Sequence, residues 1–356
     1  MNKKTDALKN FHPIRIILPI LIGLMVAFYL FYNERDQIED FSFSSEGKWF
    51  ILGACALMLT RDIGYIIRLH ILSNQKLTWL QCTKIVFLWE FASAITPTAI
   101  GGTGVAVFFL HHEKMSWAES TTVVMATSFL DELFFAISFP ILLITIGGEN
   151  LFVQYEESTF VNNLIWFAIA GYSIKLLYIL FVSYSLFFNP KLFKKLIVSI
   201  ASLPFINKWK KAAIQYGDEF ITASYSLQKR SLSYWIGSFL STALSWISRY
   251  WTANLIILGV TISSTLPSQD IFQMSNQLII FARQLIMWIM MMVMPSPGGA
   301  GFSEFLFSRY MVEFIPAGLE NMVALIWRSV SYYPYLLIGS ILFPIWLRRS
   351  FKKRKK

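Results

Sequence analysis

Two cysteines and four histidines are all that 356 residues supply of the side chains that most often hold metals or form nucleophile–base pairs. Cys55 and Cys82 are too few for a disulfide framework, and they sit in or beside apolar runs, so they read as inert packing residues. His111 and His112 are neighbours, and adjacent positions on a regular helix cannot face one metal. No Ser/His/Asp or Cys/His arrangement supports nucleophilic catalysis. Charge is scarce as well: 15% of residues are Asp, Glu, Lys or Arg, against about a quarter in soluble domains. Gly-Gly-x-Gly occurs twice, without the Lys-Ser/Thr of a P-loop or the strand context of a dinucleotide site. The expectation is a non-enzymatic protein with no metal, no cofactor and no nucleotide.

What is present is apolar surface, at 55% of the chain. Several runs exceed the roughly 18 residues that mark a spanning helix. They consume most of the chain, so a single integral membrane domain over residues 1–356 is expected, all-α and polytopic. Helices rather than alternating strands point to the cytoplasmic (inner) membrane, not an outer-membrane barrel. The net charge of +10 lies in loops and tails, which argues against a nucleic-acid partner. Lys191, Lys194, Lys195, Lys208, Lys210, Lys211 and the tail from Arg348 to Lys356 read as cytoplasmic anchors near anionic lipid. The first apolar run, Ile14 to Tyr32, has no small-residue cleavage site behind it and reads as a span.

Charge asymmetry predicts the path. The basic start is inside and the acidic loop Asn33 to Asp40 outside. A span over Trp49 to Leu72 returns to Arg68, His70, Lys76 and Lys84, read as a cytoplasmic cluster. The stretch Ile85 to Leu110 contains Pro97 and the glycines Gly101, Gly102 and Gly104. The span after it, Ala118 to Ile146, ends in an acidic loop without Lys or Arg, so both ends of the broken stretch fall inside. The second half mirrors this. A span from Phe160 to Phe188 comes in, a basic and amphipathic segment follows to Arg230, and Leu232 to Val260 goes out. The stretch Gln277 to Phe314 is broken by Pro295, Pro297, Gly298, Gly299 and Gly301, and Leu319 to Leu347 returns inward. The expected architecture is about six full spans plus two opposed re-entrant helical hairpins arranged as an inverted repeat, with both termini cytoplasmic. Residues 48–147 form the first repeat, 148–231 the linking span and basic segment, 232–347 the second repeat and 348–356 the basic tail.

Pro and Gly spoil the helix ladder, and such breaks survive at membrane depth only where protein buries them or a polar cavity hydrates them. Ionisable side chains at that depth are costly and therefore candidates for function. They are Arg61, Asp62, Glu90, Asp131 and Glu132 in the first half, with Arg249, Arg283, Glu304 and Arg328 in the second. Asp131 follows Gly104 at the same distance as Arg328 follows Gly301. Adjacent on a helix, Arg61 and Asp62 point about 100° apart and are expected to serve different partners. Arginine grips phosphate with a planar fork. Arg61, Arg249, Arg283 and Arg328 are the expected phosphate contacts, and Asp131 and Glu304 the contacts for a cationic substituent or a coupling proton. Glu304 is also placed to cap the N–H groups of a half-helix. Gly102 and Gly299 are expected at tight hairpin tips where valine is poorly tolerated, and Gly23 and Gly339 in ordinary spans where the same change is milder.

Arg61-Asp62 with Arg68, then Ile95-Thr96-Pro97-Thr98-Ala99-Ile100-Gly101-Gly102, then Met294 through Gly301-Phe302-Ser303-Glu304, resemble the flippase-like family. That family comprises the transmembrane region of lysylphosphatidylglycerol synthase/flippase proteins and free-standing relatives. The resemblance covers about Lys48 to Leu347. It implies movement of a phospholipid or other lipid-linked anionic headgroup between leaflets, with membrane lipids as partners and a lipid-modifying synthase as a further possible partner. The synthase domain of the two-part relatives is expected to be absent. Relatives often carry an Arg and an Asp in the span after the first break, where this chain reads Phe129-Leu130-Asp131-Glu132-Leu133. Two other readings fit the same residues: a secondary transporter of a small anionic solute, and a non-catalytic membrane partner of a synthase.

Overall fold

The computed structural model describes residues 41–96, 101–113, 115–151, 159–203, 205, 207–264, 269–291, 297–299 and 301–353, with isolated positions between 25 and 39. The expected span Ile14–Tyr32 falls almost wholly outside the described residues, as do Gly23, Pro97 and Pro295.

Twelve helices carry the architecture of the described residues: α1 Ser45–Leu72, α2 Trp79–Ile95, α3 Gly101–His112, α4 Trp117–Ile146, α5 Thr159–Ser183, α6 Pro190–Ala201, α7 Lys210–Gln228, α8 Leu232–Ser263, α9 Met274–Met291, α10 Phe302–Tyr310, α11 Glu320–Ser331 and α12 Tyr333–Lys353. Their starts are written locally. Ser44, Thr78, Ser116 and Ser231 each accept a backbone N–H in the first turn of α1, α2, α4 and α8. Such caps satisfy donors that a helix leaves without partners. At Thr78 and Ser116 the side chains of Gln81 and Glu119 reach back to complete a capping box.

Ser45–Leu72, Trp117–Ile146, Ile169–Phe188 and Glu320–Arg348 are long and apolar enough to cross a membrane by length and composition. The last of these is two helices, because Tyr332 leaves helical geometry between α11 and α12. The basic segment forms the α6–α7 pair, which the Tyr216 hydroxyl ties to Thr121 of α4 at 2.6 Å.

The central pair is α1 with α8. Ser44 meets Ser263, Gly47 meets Gly259, Gly64 meets Ser241 and Ser245, and Leu72 meets Tyr234, so the two helices run antiparallel. Small residues let these backbones approach: a Cβ on Gly64 would lie 2.8 Å from the Ser241 carbonyl oxygen. Close approach through Gly and Ser is how apolar helices associate where burial from water supplies no driving force.

The two broken stretches hang from opposite ends of this pair. After Leu72 the chain runs up α2 and turns back along α3, and Gln81 donates to Glu113 at 2.8 Å, so both legs close at one end. After Ser263 the chain runs along α9 and turns back into α10, and Arg283 of α9 donates to the Tyr310 carbonyl at 2.9 Å. The turns themselves meet, with Gly298 N–H 3.5 Å from the Thr96 carbonyl oxygen. Packing repeats between the halves: α2 packs on α3 and α12, and α9 packs on α10 and α4.

Candidate functional site

Where the two breaks meet, a cavity of about 220 Å³ opens between α1, α2, α3, α4, α8, α9, α11, α12 and the Pro297–Gly299 turn. Its charged wall is Arg68, Glu90, Asp131, Arg249 and Arg328, and its aromatic wall includes Trp89, Trp246 and Trp288. These positions come from six helices, α1, α2, α4, α8, α9 and α11, gathered around the antiparallel α1–α8 pair.

Behind the cavity, Arg61 is fully buried. Its Nη1 donates to Asp62 at 2.8 Å, and Nη2 makes an ion-pair contact with Glu90 at 2.5 Å. Its guanidinium also lies over the rings of Tyr65 and Tyr335, and the Tyr335 hydroxyl donates to Asp62 at 3.0 Å. The expectation that Arg61 and Asp62 serve separate partners does not hold. Long side chains bend back over their own helix, and the low dielectric rewards the contact.

Arg68 corrects a second expectation. It is 5% exposed rather than part of a solvated cluster. It pairs with Asp131 at 2.5 Å and bonds Thr242 at 3.2 Å. Trp246 Nε1 donates to the same Asp131 oxygen at 2.7 Å. Arg328 donates to Glu304 at 2.8 Å and to the Gly298 carbonyl at 3.0 Å, with the Tyr332 ring 3.7 Å beneath it. Glu304 accepts from Gly301 N–H at 2.8 Å and from the Ser303 hydroxyl at 2.9 Å, so it caps α10 and pairs with Arg328 together.

Arg249 differs from all of these. It stacks over Trp246 and Trp288, its nearest carboxylate oxygen is on Glu90 at 4.0 Å, and its side chain is 24% exposed. Among the described residues it makes no hydrogen bond.

Arg283 lies apart from the cavity wall. It bonds the Asn150 and Tyr310 carbonyls and pairs with Glu313 at 2.9 Å, tying α9 to the end of α10. Of the break residues, Gly298 and Gly299 line the cavity. Gly101, Gly102 and Gly104 belong to the first turn of α3, and Gly301 precedes α10 with a φ of 83°. Pro297 begins the short turn before it.

Sequence reasoning did not single out the three tryptophans or Lys175. Lys175 is buried in α5 and pairs with Glu132 at 2.8 Å. A lysine inside an apolar run was the available signal.

No solved structure matches this chain. A UPF0104 membrane protein of Archaeoglobus fulgidus is 22% identical over 335 residues, covering 91% of this chain and 95% of that protein. The pattern of the family described as the lysylphosphatidylglycerol synthase TM region matches residues 16–339. That stretch holds both breaks, the α1–α8 pair and every wall of the cavity, so this all-helical membrane protein belongs to the lysylphosphatidylglycerol synthase TM region family.

Proposed function

We propose that the protein is a lipid translocase, moving a phospholipid or another lipid-linked anionic headgroup between the leaflets of the cytoplasmic membrane without catalysing a covalent reaction. Arg249 carries this reading. A guanidinium among apolar helices is costly, and the cost is normally offset by a protein carboxylate. Here two indole faces hold it toward a polar cavity, Glu90 approaches it only to 4.0 Å, and it makes no hydrogen bond to a described protein group. A phosphodiester fits that fork bidentately. Arg61, Arg68 and Arg328 have parts of their own, holding Glu90, Asp131 and Glu304 in place around the ligand's path.

In this reading the two turn-backs are re-entrant hairpins that enter from opposite faces and meet near the midplane. Both termini are cytoplasmic, and the headgroup crosses the cavity while its acyl chains stay in lipid. The membership in a lipid-synthase transmembrane family supports it. Membrane lipids are the partners, with a separate lipid-modifying synthase a candidate for supplying the substrate.

The test is reconstitution in liposomes with fluorescent phospholipids. Faster transfer than in empty liposomes, lost on Arg249→Leu, supports the proposal. Transfer no faster than the empty control across anionic, aminoacylated and polyprenyl-phosphate lipids overturns it.

A further inference from the structure

A second surface lies away from the cavity, on the α6–α7 pair. Residues 189–217 carry six lysines and no Asp or Glu. Lys194 pairs with Asp218 across the pair. Lys191, Lys195, Lys210 and Lys211 are exposed and make no ion pair among the described residues. Apolar side chains stand exposed beside them. Leu196, Ile200 and Leu203 are spaced to form one stripe along α6 and just past its end. The turn that follows presents Phe205 at 94% exposure and Trp209 at 61%.

The pair is tethered to the bundle at both ends and in the middle. One residue, Asn189, separates the candidate span Ile169–Phe188 from α6, and three residues separate α7 from α8. Along α7, Gln228 donates to the Leu186 carbonyl at 2.9 Å. About three turns nearer the α6–α7 turn, Tyr216 donates to Thr121 at 2.6 Å. Both acceptors lie in segments long and apolar enough to cross a membrane, and Thr121 is one turn into α4 from Trp117. Trp117 and Trp79 are exposed at the starts of α4 and α2, as aromatic side chains are where spans meet the membrane surface. Tyr216 therefore holds the nearby turn, with Phe205 and Trp209, close to that level.

We propose that the α6–α7 turn is a binding surface for the anionic lipid of one leaflet. Phe205, Trp209 and the α6 stripe enter the border of the acyl region, and Lys191, Lys195, Lys210 and Lys211 hold lipid phosphates around them. An amphipathic helix with lysines beside its apolar face lies in the interface in this way. Lysine suits the task, being a point charge on a flexible stem that follows moving lipids, whereas the cavity uses the fixed fork of arginine. The surface stands on its own residues and does not depend on transfer through the cavity.

The test uses the full-length protein with Cys55 and Cys82 replaced by alanine and a bimane on Phe205→Cys. It is placed in nanodiscs of phosphatidylcholine, alone or mixed with phosphatidylserine. In the mixed discs, a nitroxide high on the lipid chains should quench the bimane strongly, and iodide in the buffer weakly. Omitting phosphatidylserine, or changing the four lysines together to glutamine, should raise iodide quenching severalfold. A bimane on Thr222→Cys, on the exposed polar face of α7, should stay open to iodide in every disc. Iodide quenching of Phe205→Cys as strong as that of Thr222→Cys in both discs overturns the proposal and leaves the turn open to a protein partner. Lipid quenching indifferent to phosphatidylserine and to the lysines overturns it too, because apolar insertion alone would then hold the turn. Insertion retained in Arg249→Leu supports the surface whatever becomes of the translocase reading.

Discussion

Arg61, Arg68 and Arg328 hold carboxylates inside the protein at 2.5–2.8 Å, whereas Arg249 reaches Glu90 only at 4.0 Å and makes no described hydrogen bond. The two kinds should fail differently. Arg249→Leu removes no described protein hydrogen bond, so the melting temperature should move little while phospholipid transfer falls by about tenfold or more, the value of a charged hydrogen bond to phosphate. Arg328→Leu strands Glu304 without its ion pair and frees the Gly298 carbonyl. Breaking one side of a buried pair costs about 3–5 kcal/mol, so this variant should melt several degrees lower, and Glu304→Gln should be milder because the amide still accepts from Gly301 N–H. Differential scanning fluorimetry in detergent beside liposome transfer checks both. A large stability loss at Arg249, or none at Arg328, contradicts the assignment of roles.

At the scale of elements, glycine matters for two separate reasons. Gly299 has a φ of 72° in the second break, a conformation that costs a residue with a Cβ about 1–2 kcal/mol. Gly102 needs no unusual φ. Its missing side chain lets α3 lie on α2, where an added Cβ would sit 2.9 Å from Ser93 Cα. Gly102→Val and Gly299→Val are both expected to abolish transfer, the first by prising α2 from α3 and the second by distorting the turn. The expectation that Gly339 is an ordinary span position is corrected, since a Cβ there would meet Phe91 Cβ at 2.3 Å and push α12 off α2. Gly339→Val should therefore cost as much stability as Gly102→Val in the same melting assay. If it melts like the native protein, the α2–α12 contact is wrong.

For the molecule as a whole, the antiparallel α1–α8 pair sets where everything else goes. The Ser44 and Ser263 hydroxyls are 3.2 Å apart at one end of it, close enough for a disulfide between cysteines placed there. With Cys55 and Cys82 replaced by alanine, Ser44→Cys/Ser263→Cys should cross-link on mild oxidation within one chain. Failure to form that bond in folded protein counts against the pairing. The opposed arrangement of the turn-backs makes a further prediction about sidedness. A cysteine at Glu119, beside Lys76, should react with a membrane-impermeant reagent from the cytoplasmic face, and one at Glu313, beside Arg283, from the other. Reaction of both from one face would rule out opposed hairpins.

Periodicity and composition by themselves determined an all-helical membrane protein, because apolar runs of this length have few other stable forms. Serine and threonine caps fixed several helix starts, since capping is settled within four residues of chain. The placing of Arg61, Glu90, Asp131, Arg249 and Arg328 among apolar residues was equally plain in the sequence, and so were the two breaks. Which arginine keeps its hydrogen-bond donors open was not. Arg68 meets Asp131 and Arg328 meets Glu304 across different helices, so whether a charge is spent depends on contacts that sequence spacing does not encode. The same holds for Trp246 and Trp288. An indole in an apolar run looks like packing until the α1–α8 pair turns it toward an arginine. Arg68 shows the limit from the other side: four residues from the end of α1, it reads as a solvated anchor, and only the packing of α4 and α8 against α1 buries it beside Asp131 and Thr242.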